Sequence, residues 1–313
     1  MNTLIRRSPL VAFFVLALLI TWVFQIPALM LAHQSNLTLG NEANFQHFVS
    51  LLQPAAQMDG MLPYLLFRLG AGPLIAALWV TFALGGGEAV QNLIQRSLLW
   101  RVSAKHYALV LLIPLCMAGL SLLLGLLGGV QGLKPLLQWS SFPFFLLYMV
   151  VFTGFAEEVG WRGFALPCLQ RSMSAEKASW VLGVWWAVWH FPFMLYFNRD
   201  MPIMANLSLL AALVMTTIGW THVNTFLYNT TRSVFLIALL HGLGNTLQSY
   251  LVLSTGNMLA QTAYSLIPWA IAVFLLKKYG SENLSSRPRA VLNKWGIEED
   301  GKPLVNTPKH VHA

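Results

Sequence analysis

The residues best suited to chemistry in this chain are acidic, imidazole and amide side chains set in otherwise apolar segments. Glu157 and Glu158 lie in AEEVGWRG, His190 lies in WWAVWHFP, and His241 and Asn245 lie in HGLGN. An ionised side chain in the middle of a bilayer costs roughly 3 kcal/mol even on permissive scales, so such residues point to a function. Carboxylates and imidazoles in this setting can activate water, relay protons or bind a metal.

The spacing of these residues along each predicted helix suggests how they are arranged. Glu158 and Arg162 are four residues apart, which brings opposite charges together on one helix face. Glu157 projects about 100° away from Glu158 and can therefore face a different cavity. His241 and Asn245 are also four residues apart and present two hydrogen-bonding groups to one place.

Composition indicates that these residues belong to a membrane protein. Hydrophobic residues make up 57% of the 313 residues and charged residues only 10%, against about half and a quarter in typical globular chains. The apolar residues form eight runs long enough to cross a bilayer, and each run must be helical because lipid cannot satisfy an open backbone. The sequence therefore predicts an all-α, polytopic transmembrane helix bundle of about eight spans. The predicted spans are roughly 10–32, 61–84, 107–129, 142–166, 178–197, 205–227, 233–254 and 261–276.

The distribution of basic residues predicts the orientation of the bundle. The segments on the side of the N-terminus carry most of the lysines and arginines, whereas the opposite segments carry only Lys134 and Arg199. Because positive residues favour cytoplasmic loops, both termini are predicted to be cytoplasmic. The net charge of +8 follows from this topology and from anionic lipid, and it gives no reason to expect a nucleic-acid partner. A bacterial inner membrane is the expected location.

Helix geometry places the polar residues of three spans at similar depths. At about 1.5 Å per residue, Glu157 and His241 lie about 12 to 13 Å from the predicted cytoplasmic ends, and His190 and Asn245 about 18 Å. The three helices therefore contribute to one layer of the membrane. The tryptophans beside them lie too deep for an interfacial belt and are expected to wall a dry pocket: Trp161, Trp185, Trp186 and Trp189.

The chain is expected to form one membrane domain with two appendages. The domain covers residues 1–278, and its motif-bearing core covers about 142–250. Residues 87–102 predict an interfacial helix with apolar residues on one face and Arg96 among polar residues on the other. Residues 279–313 are polar and predict a flexible cytoplasmic tail.

Two further polar residues in the spans have no predicted role in chemistry. Arg68 is expected to snorkel outward or to pair within the bundle. His222 is expected to be a satisfied histidine near a helix end.

The three polar segments resemble the motifs of the CPBP family (CAAX protease and bacteriocin-processing, Abi-type). The family motifs have these counterparts in order: EExxxR at 157–162, FxxxH at 186–190 and HxxxN at 241–245. The resemblance covers about residues 142–250, and three motifs in order on separate spans form a specific signal. Trp186 departs from the usual phenylalanine, and we expect this change to affect substrate fit more than chemistry.

The resemblance implies hydrolysis of a peptide bond in a membrane-associated or lipid-modified substrate. Glu157 would be the general base that activates water, and His190 would share that water. His241 and Asn245 would polarise the scissile carbonyl and stabilise the oxyanion. The residues implied to support this geometry are Glu158, Arg162 and Trp186. The expected partners are a peptide or protein substrate and the lipid bilayer.

Metal dependence and two non-proteolytic functions remain as alternatives. Glu157, His190 and His241 could supply three zinc ligands beside an open water position, as in a metalloprotease. No HExxH element is present, so a metal-independent glutamate mechanism without a cofactor is favoured. A proton-coupled transporter could use the same buried carboxylates and histidines as a relay. A noncatalytic immunity or scaffold protein would retain its activity when Glu157 is replaced by glutamine.

Overall fold

The chain folds into a bundle of long helices, which a computed structural model describes for residues 2–53 and 61–300. The helices are α1 (Asn2–Arg7), α2 (Pro9–Gln34), α3 (Asn41–Leu51), α4 (Met61–Leu69), α5 (Gly72–Ser97), α6 (Ala104–Leu127), α7 (Trp139–Gln170), α8 (Ala175–Phe197), α9 (Ile203–Thr231), α10 (Val234–Thr255) and α11 (Met258–Tyr279). Two short antiparallel strands follow, β1 (Ala290–Leu292) and β2 (Glu298–Asp300).

Within the described residues, the helices form eight segments long and apolar enough to cross a membrane, with α4 and α5 together making one of them. Large apolar side chains such as Val11, Phe82 and Leu127 point away from the bundle and are more than 60% exposed. Contiguous exposed apolar surface of this kind is solvated by lipid rather than water. The predicted all-α fold and the multi-pass membrane class are therefore confirmed, whereas the cytoplasmic orientation of the termini stays a prediction.

Close helix contacts at small residues position α7 at the centre of the bundle. A Cβ atom on Gly160 of α7 would lie 2.4 Å from the carbonyl oxygen of Pro73 in α5. A Cβ atom on Gly242 of α10 would lie 2.7 Å from the backbone nitrogen of Val150 in α7. Only glycine permits these approaches. These contacts hold α7 between α5 and α10, so that the glutamates of α7 face α10, the helix that carries His241.

Helix α7 changes its winding on both sides of its glutamates. π-Helical turns at Val150–Phe155 and Trp161–Ala165 flank the α-helical segment Ala156–Gly160, which carries Glu157 and Glu158. A π turn inserts extra backbone per turn and rotates the side chains that follow it, and such turns are frequent at functional sites. The directions of these side chains therefore differ from those of a uniform helix.

The predicted interfacial helix differs from the structure in its length and in its faces. It continues α5 beyond a break at Gly86, where φ is 63°, and it ends five residues before the predicted position 102. Arg96, predicted on the polar face, is buried, whereas Ile94 of the apolar face is exposed. Arg96 can be buried because its Nη1 donates to the carbonyl of Gly163 at 2.8 Å and to Glu298 at 3.0 Å.

The first part of the predicted flexible tail is folded onto the bundle. Residues 280–300 include the β1–β2 pair, and Leu284, Ala290 and Leu292 are buried. Gln170 at the end of α7 donates through Nε2 to the carbonyl oxygen of Ala290 at 2.9 Å. Apolar burial and hydrogen bonds to helix ends account for this order, which a polar composition does not indicate. Residues 301–313 lie outside the described part of the chain.

Acidic residues of β2 join the tail to arginines at the ends of the spans. Glu298 accepts hydrogen bonds from Arg96 and Tyr228, and its Oε1 lies 3.6 Å from Nε of Arg232. Asp300 also pairs with Arg232. We call Glu298, Asp300, Arg96 and Arg232 the C-terminal clasp, and it connects the tail to α5 and to the junction of α9 and α10.

Replacing the central acid of the clasp should destabilise the protein. Glu298→Gln removes the charge opposite Arg96 and Arg232 in a site where both partners are largely buried. The free energy of unfolding should fall by about 2 kcal/mol, the scale of a hydrogen bond to a charged group. Thermal unfolding in detergent measures this change. Glu299→Gln alters the neighbouring exposed carboxylate and should leave stability unchanged; equal unfolding temperatures for both variants would contradict the clasp.

The contribution of Asp300 should depend on pH in a defined direction. The hydrogen bond from Arg232, with further attraction from Arg287, lowers the pKa of Asp300 below its usual value. Stability from this carboxylate is therefore present above the unfolded-state pKa of about 3.9 and is lost as pH falls through the lower folded-state pKa. Asp300→Asn should lower the unfolding temperature at pH 7 and have no effect at the acidic end. Since Asp300 is half exposed, the difference should stay below about 1 kcal/mol. A difference that persists unchanged to pH 2 would count against this pairing.

Candidate active site

One cavity brings together the polar residues of the three motif-bearing helices. Its volume is about 280 Å³, and its lining includes Glu157 from α7, His190 from α8, and His241 and Asn245 from α10. The four predicted catalytic residues therefore meet at one place, as their similar depths predict. Glu158 and Arg162 do not line the cavity and lie behind it, fully buried.

Trp186 is the contact point between the first two polar segments. Its indole Nε1 donates to Oε2 of Glu157 at 2.7 Å, and its carbonyl oxygen is 2.8 Å from Nδ1 of His190. Its ring packs edge-on against His241 and lies 4.4 Å from the guanidinium carbon of Arg162. Trp186 therefore orients the carboxylate that is the candidate base, which phenylalanine at this position could not do.

A buried ion pair supports the histidine of the third segment. Nη1 of Arg162 lies 3.0 and 2.9 Å from the two carboxylate oxygens of Glu158, as the spacing of four residues predicts. Nη2 of Arg162 donates to Thr221 of α9 at 3.1 Å. Oε1 of Glu158 also lies 2.7 Å from Nδ1 of His241. Glu158 therefore holds His241 in place and is itself neutralised by Arg162.

The same region matches a known family. The model of the Rce1-like type II CAAX prenyl endopeptidase family matches residues 139–247, which contain all three motifs. This match confirms the resemblance that the three motifs predict for this region. The CAAX prenyl protease 2 of Methanococcus maripaludis is 26% identical over 152 residues, which cover 44% of this chain. The match spans about half of that relative, 52% of its length.

The hydrogen bonds of His190 and His241 define which ring nitrogens are protonated. A carbonyl oxygen and an ionised carboxylate can only accept, so Nδ1 carries the proton in both His190 and His241. The Nε2 atom is then the one available for a ligand. It accepts a hydrogen bond when the ring is neutral and donates one when the ring is doubly protonated.

The site has some of the structural features that a zinc site requires. Metal-bound histidines usually donate their second ring N–H to a carboxylate or a carbonyl, and both histidines make such bonds. Within residues 2–53 and 61–300, however, no three histidine, cysteine, aspartate or glutamate side chains are gathered closely enough to hold a metal ion. Glu157, His190 and His241 line one cavity but do not lie close enough together in this arrangement to serve as a zinc ligand set.

Two of the four tryptophans expected to wall the pocket do so. Trp186 and Trp189 line the cavity. Trp161 is instead buried in the core, and Trp185 stacks on Phe14 of α2, with ring centroids 4.6 Å apart. The prediction was wrong for these two because neighbouring positions on a helix face different partners.

Arg68 forms its contacts within the bundle, which was one of the two predicted alternatives for this residue. Its Nη1 donates to the carbonyl of Phe152 at 3.1 Å, and it lines the cavity. Three rings surround its guanidinium group, those of Tyr64, Phe67 and Tyr148.

His222 is placed differently from its prediction. It lies well inside α9 rather than near a helix end, because α9 continues to Thr231. It is fully buried, and its Nδ1 lies 2.8 Å from the carbonyl oxygen of Ile218. It is not part of the cavity lining.

Helix α9 contributes cavity residues that the motif analysis missed. Thr217, Trp220 and Asn224 line the cavity at spacings of three and four residues, so they share one helix face. Polar residues at this spacing in an apolar span could have been recognised in the sequence as a sign that this helix lines the cavity. Gln25 of α2 and Gln248 of α10 also line the cavity.

Replacing Trp186 by the phenylalanine usual at this position of the CPBP motif should weaken the fold around Glu157. Trp186→Phe keeps an aromatic ring but removes the hydrogen bond to Glu157, whose carboxylate stays buried. The free energy of unfolding should fall by about 2 kcal/mol, which detergent thermal melts can detect. Trp180→Phe, on the same helix but partly exposed, is the matched control and should have a smaller effect. An unchanged melting temperature in Trp186→Phe would rule out a stabilising role for the indole N–H.

Proposed function

We propose that this protein is an intramembrane endopeptidase that hydrolyses a peptide bond of a membrane-associated or lipid-modified substrate. The observation that carries the proposal is a single membrane-embedded cavity lined by Glu157, His190, His241 and Asn245. The match of this region to a prenyl endopeptidase family model supports it. A bacterial inner membrane is the proposed location.

Water activation is the role proposed for Glu157 and His190. The indole N–H of Trp186 donates to Oε2 of Glu157, so Oε1 is free to accept a proton from water. Nε2 of His190, unprotonated in the neutral ring, accepts the second hydrogen of the same water and aligns it. The oxygen then attacks the scissile carbonyl carbon as the proton passes to Glu157. Burial of the carboxylate keeps competing water away from this transfer.

Stabilisation of the negative charge on the carbonyl oxygen is assigned to His241 and Asn245. Nδ1 of His241 already donates to Glu158, so Nε2 can donate to the oxyanion only when the ring is an imidazolium. The side-chain amide of Asn245 supplies a second donor, and each such donor contributes about 10²-fold or more to the rate. When the carbon–nitrogen bond breaks, Glu157 returns its proton to the leaving amine.

Loss of the base should abolish cleavage without loss of the fold. Purified protein in detergent is incubated with a peptide library, and the products are identified by mass spectrometry. Glu157→Gln should reduce the cleavage rate by at least about 10²-fold, because glutamine cannot accept the proton. Glu88→Gln changes an exposed glutamate and should cleave as the wild type does. A chelator should have no effect on a glutamate mechanism, whereas loss of cleavage with chelator would favour zinc.

The same assay separates the remaining functions. Equal cleavage by wild type and Glu157→Gln would reject the proposed base. Absence of cleavage by either, with ion-dependent uptake into proteoliposomes that Glu157→Gln abolishes, would favour a proton-coupled transporter. Biological activity that survives Glu157→Gln would favour a noncatalytic scaffold.

A further inference from the structure

The cavity is lined by a cation that the proposed mechanism does not use. Among the described residues, Arg68 is the one arginine or lysine in the lining, which it shares with Glu157. It lies in the last turn of α4 and is partly buried. No carboxylate of the described residues forms an ion pair with its guanidinium group.

The lack of an acidic partner distinguishes Arg68 from the other arginines of the bundle interior. Five arginines of the described residues are at least partly buried, and four of them pair with carboxylates: Arg96 with Glu298, Arg162 with Glu158, Arg232 with Glu298 and Asp300, and Arg289 with Glu282. A charge taken out of water is costly unless it is paired. The one interior arginine without a counter-charge is therefore the one that lines the cavity, where a ligand can supply it.

The guanidinium group of Arg68 is held in place with one nitrogen still available. Its Nη1 donates to the carbonyl oxygen of Phe152 at 3.1 Å, and its Nε is buried and out of reach of a ligand. Its Nη2 makes no hydrogen bond within the described residues and is not closed off in this way. The rings of Tyr64, Phe67 and Tyr148 lie 5.2 to 5.7 Å from the guanidinium carbon. These rings attract the cation but carry no net charge to neutralise it.

The chemistry of the guanidinium group and of the proposed substrate indicates which ligand Arg68 suits. Arginine keeps its charge in proteins, and its planar N–H groups match carboxylates and phosphates. The proposed occupant of the cavity is a peptide, and the anionic groups of an unmodified peptide are carboxylates. The cavity volume of about 280 Å³ is at the small end for ligand sites, so Arg68 and Glu157 contact the same short stretch of peptide.

We propose that Arg68 is a specificity residue that binds a carboxylate of the substrate peptide through Nη2. The carboxylate belongs either to the C-terminus of the peptide or to an acidic side chain near the scissile bond. This inference rests on the peptidase function and extends it. Because Arg68 and Glu157 are fixed on different helices, a carboxylate bound at Arg68 determines which peptide bond lies beside Glu157.

Peptide binding to an inactive background tests this role. The probes are fluorescent peptides of the same library, with free C-terminal carboxylates, measured by polarisation on the Glu157→Gln protein in neutral detergent. The tightest binder is then remade with an amidated C-terminus and, separately, with each acidic side chain replaced by its amide. One of these changes should raise Kd about 10-fold or more, the scale of a hydrogen bond between charged groups. The form that loses affinity identifies the carboxylate as the chain end or as a side chain.

A second substitution assigns that effect to Arg68. Adding Arg68→Gln to the Glu157→Gln protein should raise Kd for the original peptide by a similar factor. The amide form of the peptide should then bind no more weakly than the original, because the two changes remove the same interaction. The Glu157→Gln background also lacks the cavity carboxylate through which Arg68 might otherwise act on the peptide.

Two further variants separate the charge from effects on folding. Arg68→Lys keeps the cation and should retain part of the preference for the carboxylate peptide. Arg101→Gln removes an exposed arginine that also lies over an aromatic ring, that of Trp100, but is outside the cavity lining. It should leave every Kd unchanged.

Several outcomes would overturn the proposal. They include equal Kd values with and without Arg68→Gln, a carboxylate preference that persists in Arg68→Gln, and no peptide binding to the Glu157→Gln protein. Phosphatidylglycerol that raises the melting temperature only when Arg68 is present, without any Arg68-dependent peptide preference, would assign the guanidinium group to a lipid headgroup instead. Failure of the peptidase function is a different result: cleavage that survives Glu157→Gln would reject the base, while Arg68-dependent carboxylate binding would still establish the subsite.

Discussion

The hydrocarbon core provides no water to solvate an ion, and the arrangement of this site follows from that constraint. Glu158 and Arg162 are fully buried, and Nη1 of Arg162 lies 2.9 to 3.0 Å from the two carboxylate oxygens of Glu158. Nη2 of Arg162 also donates to Thr221 on α9, and Oε1 of Glu158 lies 2.7 Å from Nδ1 of His241 on α10. One ion pair therefore joins three helices, and removal of either partner would leave an unpaired buried charge.

Trp186 extends the same arrangement to the fourth helix of the site. It binds Glu157 through its indole and His190 through its backbone, while its ring covers the guanidinium group of Arg162. The groups proposed to activate water and those proposed to polarise the carbonyl thus share one central residue. Groups held in this way need little reorganisation during a reaction, which is the condition for electrostatic catalysis.

Buried charges are also paired where the tail meets the end of the bundle. Arg96 and Arg232 are largely buried, and the clasp supplies their counter-charges from β2. Because Arg96 also donates to the carbonyl of Gly163 in α7, the tail is connected through one side chain to the helix that carries the glutamates. The order of residues 280–300 is therefore coupled to charge neutralisation at the spans.

The sequence by itself determined the features that depend on local order along the chain. Hydropathy defines the eight spans, and helical periodicity pairs Glu158 with Arg162. The three motifs also indicate which helices meet at the cavity. Each of these follows from residues within one segment, where a period of 3.6 residues relates position to direction.

The tertiary structure decided the contacts between segments that lie far apart in the chain. Trp186 reaches Glu157 across 29 positions, and Arg96 reaches Glu298 across 202. Neither contact is indicated by periodicity or composition, and the unpaired Oδ1 of Asn224 becomes visible only when the surrounding helices are in place. The physical reason is that burial and hydrogen-bond satisfaction are properties of the packed bundle, whereas a sequence states only which groups will need partners.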